Sequence, residues 1–193
     1  MAKRRVLIVA GIIGTAALLW FVVGFTSAQT ACAHDPRFAC SPRGRFDPIR
    51  IHDPEKSWAF YGRLGNDERD HYLLIAREPL HVPWQLLIER RDAGDPLRPS
   101  AVVRDEHGRQ IASLSLSGSD ATTFYEPFSR ITYLSTLPHV LRVPPGRYEI
   151  TISMRGAGPP QRYVMAIGEQ ERFGLGEIPY VIGAIHRIDT RGW

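Results

Sequence analysis

Lysine is almost absent from this chain. Lys3 and Lys56 are the only two, and arginine carries the rest of the 24 basic charges. With Ala, Gly and Pro also plentiful, that bias follows a GC-rich genome rather than a function. Local catalytic signatures are missing too. The chain has no H-E-x-x-H, no G-x-S-x-G and no Walker-type glycine loop, so nothing local marks a zinc peptidase, a nucleophile elbow or a phosphate cradle. Ser117-Gly118-Ser119-Asp120 comes nearest to a nucleophile motif, and a polar turn accounts for it. Between residues 51 and 167 no stretch has a helical period, which removes the α and α/β classes.

Positive charge is also scarce once the first residues are set aside. The formal net charge is +4. Lys3, Arg4 and Arg5 supply three of it, and 4 − 3 leaves +1 for everything beyond. A nearly neutral remainder without a basic stripe among aromatics argues against a nucleic-acid partner.

Immediately after Arg5 the chain runs into an uninterrupted apolar block, Val6–Phe25. Twenty residues at about 1.5 Å each make about 30 Å of helix, enough to cross a hydrocarbon core. The basic flank keeps the N-terminus cytoplasmic and sends the remainder out. The first reading is a retained signal anchor over residues 1–28. A secretory signal cleaved near Ala28 is the second, because Thr26-Ser27-Ala28 suits such a site. On the first reading the protein is a single-pass protein of the cell membrane with an extracytoplasmic domain.

Residues 29–50 read as an exported linker without period. Cys32 and Cys40 bracket it and, outside the cytoplasm, are expected to pair as a disulfide. A metal site of Cys32, His34 and Cys40 is a lesser alternative that lacks a fourth ligand.

Residues 51–169 are expected to form the folded domain. Tyr148, Ile150, Ile152 and Met154 alternate with Glu149, Thr151 and Ser153, while Leu141 and Val143 alternate with Arg142. The break between them is Pro144-Pro145-Gly146. Period two on both sides of a turn predicts a hairpin of half-buried strands. Further runs at Ser57–Leu64, Asp70–Ala76, Pro83–Glu89, Ser100–Arg104, Gln110–Leu116, Thr122–Phe128, Ile131–Ser135 and Arg162–Ile167 complete an all-β chain. Many short strands separated by Gly- and Pro-rich turns predict an antiparallel β-sandwich.

The order of Asp70-x-Tyr72, Gly146-x-Tyr148-x-Ile150 and Tyr163-x-Met165-x-Ile167 resembles the bacterial pre-peptidase C-terminal domain. The resemblance implies a jelly-roll-like sandwich of the kind found on secreted proteases and as a collagen- or polysaccharide-binding module. Thr122–Tyr133 lies outside that family's general pattern and looks like a feature of membrane-anchored bacterial relatives.

Two candidate sites emerge. Phe124, Tyr125, Glu126, Phe128 and Tyr133 gather aromatic rings around one carboxylate, a set suited to lining a ligand pocket; the plainer alternative is a loop covering the core. Asp67, Glu68 and Asp70 put several oxygens in one turn, so calcium is the one cofactor considered; a solvated acidic turn is the alternative. In the tail, residues 170–193, Glu177–Ile188 is expected to be a helix with Pro179 in its first turn. Val181, Ile182, Ile185 and Ile188 would share its face, packing on the sandwich or lying on the membrane.

The expected function is a non-catalytic binding or structural module, anchored in the membrane through Val6–Phe25. Its partner would be a cell-surface polysaccharide or a protein. An accessory subunit of a membrane complex is the alternative, and a hydrolase with residues gathered from distant positions is third.

Overall fold

The computed structural model describes residues 35–90, 98–116, 121–126, 130–156, 158–172 and 178–190. The segment Val6–Phe25, read as a membrane span, and Cys32 lie outside them. Among the described residues no helix is long and apolar enough to cross a membrane.

The alternating runs form sheet. In β11 (Gly146–Arg155), Tyr148, Ile150, Ile152 and Met154 are buried and the residues between them are not. In β4 (Arg69–Ala76) the buried set is Asp70, Tyr72, Leu74 and Ala76. The remaining strands are β1 (Asp35–Phe38), β2 (Ile49–Ile51), β3 (Trp58–Leu64), β5 (Leu80–Glu89), β6 (Arg98–Asp105), β7 (Gln110–Ser115), β8 (Thr122–Glu126), β9 (Ile131–Ser135), β10 (His139–Val143) and β12 (Gln161–Ile167).

These strands form two sheets. Sheet A runs β1-β3-β12-β5-β9-β8, with β10 also on β5; sheet B runs β2-β4-β11-β6-β7. Between them lies one large apolar core that includes Phe60, Tyr72, Trp84, Leu86, Ile150 and Met165. A smaller cluster of Ala59, Leu87, Ile131, Tyr133, Val164 and Ala166 sits on the other face of sheet A. The period of two produces both clusters, since Met165 and Val164 are neighbours that point to opposite sides. β12 is buried on both faces and β11 on only one.

Three expectations need correction. The strands flanking Pro144-Pro145-Gly146 are not a hairpin. β10 pairs with β5 in sheet A, whereas β11 pairs with β4 and β6 in sheet B. The two prolines have no N–H to lend a ladder, so the chain leaves one sheet there and enters the other. The sandwich is also not purely antiparallel: β1 on β3 and β2 on β4 are parallel. β1 lies within the segment 29–50 expected as a linker and β2 straddles its end, and each forms an edge strand of one sheet. Last, the expected Cys32–Cys40 disulfide is not formed, for Cys40 carries a free, exposed thiol. Cys40 lies just beyond β1, where its backbone takes a positive φ of 51° and its side chain faces solvent, while Cys32 lies outside the described residues.

β5 is long enough for two partners on one edge. Leu80–Trp84 take β10 and Leu87–Glu89 take β9, while β12 holds the opposite edge. At the junction Leu86 would lose its ladder. Thr136 replaces it, donating its N–H to the Leu86 carbonyl at 2.9 Å and accepting the Leu86 N–H on its hydroxyl at 3.1 Å. Helix α1 (Ile178–Asp189) packs against β1. Its buried residues are Val181, Ala184 and Ile188; Ile182, expected on that face, is 45% exposed. A spacing of three and four residues, not adjacency, keeps positions on one helical face.

Candidate functional site

The aromatic segment is a strand at the edge of sheet A, not a loop around a pocket. Phe124 lies opposite Tyr133, and Tyr125 opposite Thr132. Adjacent strand residues point to opposite faces, so Phe124 and Tyr125 do not converge. They are 45% and 56% exposed, while Tyr133 is 2% exposed and belongs to the small cluster. Glu126 is half-buried at the strand end, and Phe128 lies outside the described residues. Among the described members of the expected set, Phe124, Glu126 and Tyr133 share one face of sheet A, and Tyr125 stands on the other.

The acidic turn does not assemble a cation site either. Asp67 takes a positive φ of 63° in the turn, and Asn66 donates to its Oδ2 at 2.8 Å. Glu68 Oε2 accepts the Gly65 N–H at 2.7 Å. Asp70 points the other way, into the sandwich, because strand alternation places it with Tyr72 and Leu74. No group of three His, Cys, Asp or Glu side chains among the described residues is placed to hold a metal ion.

Asp70 instead anchors a buried polar knot. It is fully buried, a position that a carboxylate tolerates only when well supplied with donors. Its Oδ1 accepts the Arg43 N–H at 2.5 Å. Its Oδ2 accepts the Ser41 hydroxyl, and the Tyr163 hydroxyl at 2.5 Å. Tyr163 and Tyr72 then share a hydrogen bond of 2.7 Å. Burial pushes both phenols well above their ordinary range, and the nearby Asp70 carboxylate pushes in the same direction. The Tyr163 ring lies across Gly62, its partner in the neighbouring strand, where a Cβ would collide with it. Asp70 and Tyr72 belong to sheet B and Tyr163 to sheet A, while Ser41 and Arg43 lie between β1 and β2. The knot therefore ties both sheets to the connecting segment. Both of its carboxylate oxygens are engaged by protein donors.

A second polar centre lies where α1 meets β1. Asp35 is fully buried, and its Oδ2 takes Lys56 Nζ at 2.8 Å and an Arg37 guanidinium N–H at 3.0 Å. Lys56 Nζ stands 4.5 Å from the Trp58 ring centroid. The Arg37 guanidinium lies 4.9 Å from Trp58 and 4.5 Å from Tyr180 of the helix, and Arg187 covers Phe38 at 4.5 Å. Cation–π contacts of this kind, about 0.5–2 kcal/mol each, fasten α1 to the sheet.

The outward face of sheet B is different. Its strand positions alternate with buried ones and carry Arg50, Arg69, Arg98, Arg104, Arg147 and Arg155. Glu149 is the only acidic residue among these positions on β2, β4, β6 and β11. Its two oxygens face His71 Nδ1 at 2.7 Å and Arg45 Nε at 3.2 Å. Reading along the chain misses this face, because its arginines come from four strands and the overall charge is small. The usable signal is their position: each stands on the polar side of an alternating run.

No family model matches this chain, and no curated protein matches it. Among solved structures, the chain is similar to the pre-peptidase C-terminal domain of a collagenase from Bacillus anthracis. That likeness has 13% identity and a TM-score of 0.41, covering 65% of this chain and 95% of that one. A structure of the infectious bursal disease virus Gx strain is similar at 12% identity and TM-score 0.25, over 79% of this chain and 53% of that one. Likenesses this distant carry no functional argument; the β-sandwich rests on the strand pairing above.

Proposed function

We propose that this chain is a non-catalytic binding module, held at the membrane by Val6–Phe25 with its sandwich on the outer side. The observation that carries this reading is a contrast between inside and outside. The buried carboxylates Asp70 and Asp35 are engaged by protein donors, while the outward face of sheet B offers mostly polar side chains, six arginines among them, to solvent. Such a surface recognises; it does not activate. A cell-surface polysaccharide fits it better than a compact small molecule, because the face has breadth rather than depth.

The accessory-subunit reading is favoured by a separate observation. Thr122–Tyr125 are exposed on β8, which ends sheet A, so an extended partner segment can add to that edge.

Two measurements test the proposal. Protease added to spheroplasts should digest the sandwich and spare a short N-terminal fragment, and protection of the whole domain would remove the topology. Full-length protein in neutral-lipid nanodiscs should retain material from the isolated cell envelope. Retention lost on Phe124→Ser/Tyr125→Ser, with none lost on changing sheet B, would favour the accessory reading.

A further inference from the structure

The register of sheet B orders its outward face into rungs. One rung reads Arg69, Ser153, Ser100 and Ser115 across four strands, with the Ser153 and Ser100 hydroxyls 3.0 Å apart. The next reads His71, Thr151, Val102 and Ser113. A third reads Arg50, Leu73, Glu149, Arg104 and Gln110. Beyond it Arg147 stands opposite Ile75. Neighbouring strands are about 4.8 Å apart, so the face is about 19 Å wide. Arg147 and Arg104 are diagonal neighbours, about 7–8 Å apart at Cα.

Four features of this face point to one kind of ligand. Arg50, Arg69, Arg147 and Arg155 are exposed, and they make no ion pair among the described residues. Glu149 cannot neutralise them, since His71 and Arg45 already occupy it. A guanidinium fork matches a carboxylate through two parallel N–H···O bonds. Between the arginines stand hydroxyls (Ser100, Ser113, Ser115, Thr151, Ser153), which both donate and accept, as sugar hydroxyls require. Phe46, the neighbour in sequence of the Arg45 that reaches Glu149, is fully exposed and offers a flat apolar surface for a sugar ring. The charges are spread over four of the five strands, so a small acid would meet one arginine, whereas a chain with repeated carboxylates meets several.

We infer that the outward face of sheet B binds a carboxylated polysaccharide, with Arg50, Arg69, Arg104 and Arg147 pairing its carboxylates and the serine rung its hydroxyls. This deepens the binding-module reading and rests on it.

The test uses the full chain in neutral-lipid nanodiscs, titrated with polygalacturonate and with its fully methyl-esterified form, which keeps the hydroxyls and loses the charge. Polygalacturonate should bind at least tenfold more tightly than the ester, and its affinity should fall with salt. Exposed positions make Arg69→Glu/Arg147→Glu safe for the fold, which an unchanged melting temperature checks, and this variant should bind at least tenfold more weakly. Equal binding of the ester, or an undiminished variant, overturns the assignment. Polyglutamate bound as tightly as polygalacturonate would overturn it too, by showing charge recognition without sugar recognition. So would binding to phosphatidylglycerol vesicles alone, which would make the face a membrane contact. If the variant loses nothing but the parent still retains envelope material, only the face is wrong; if the parent retains none, the binding-module reading itself fails.

Discussion

The Tyr163 hydroxyl, on sheet A, donates a 2.5 Å hydrogen bond to the Asp70 carboxylate, on sheet B. A buried bond to an ionised acceptor contributes about 1.5–3 kcal/mol, so Tyr163→Phe should cost about that much in urea unfolding. Asp70→Ala should cost more, about 3–5 kcal/mol, because Ser41, Arg43 and Tyr163 would each lose an acceptor at once. Equal losses for the two variants would show that the Ser41 and Arg43 bonds add nothing.

The same knot makes the fold sensitive to alkali. Burial, aided by Asp70, raises the Tyr72 and Tyr163 hydroxyls above their ordinary value of 10.0. A raised folded value means the neutral form is the one the native state keeps. Their contribution is therefore complete below pH 10 and is lost as the pH climbs from there toward the folded values, by about 1.4 kcal/mol per pH unit for each tyrosine. Urea midpoints measured from pH 9 to 11.5 should fall with this slope. Tyr72→Phe should flatten it, and an unchanged slope in that variant would refute the cause.

Two glycines are expected to tolerate no side chain. At Gly62 a Cβ would meet the Tyr163 ring. At Gly168, where φ is +84°, it would meet the Lys56 carbonyl oxygen. A ring can shift more readily than a backbone carbonyl fixed by its neighbours. Gly62→Ala should therefore cost about 1–3 kcal/mol and Gly168→Ala more, with backbone strain adding to the clash. Thermal melts of the two variants beside the parent decide the order.

Asp35→Leu should leave Lys56 Nζ buried without its carboxylate and destabilise by about 3–5 kcal/mol. Arg37, about one-third exposed, can turn to water and adds little to that loss. The double variant Asp35→Leu/Lys56→Met should recover most of the stability, because a buried ion pair is replaceable by packed apolar side chains. A double variant no better than the single one would mean that the cost lies in packing rather than in the stranded charge.

Strand identity was legible in the sequence because it is local. Alternation in Tyr148–Met154 or Tyr72–Ala76 depends on residues two apart and on one buried face, so the order of the chain suffices. The helix near the C-terminus was legible in the same way, although its buried face proved to be Val181, Ala184 and Ile188. Partnership between strands is not local. Nothing between Val143 and Gly146 states that the chain changes sheets, and only the finished pairing shows β10 on β5 and β11 on β4. Aromatics adjacent in sequence suggested one pocket, but the strand that carries them turns Phe124 and Tyr125 apart. Asp70 read as a surface ligand because a sequence displays charge, not burial; its donors lie 27, 29 and 93 residues away along the chain. The arginine face is the converse case. The alternation that puts each arginine outside is a property of its own strand, whereas their gathering on one surface required β2, β4, β11 and β6 to lie side by side, which hydrogen bonding between distant segments alone decides.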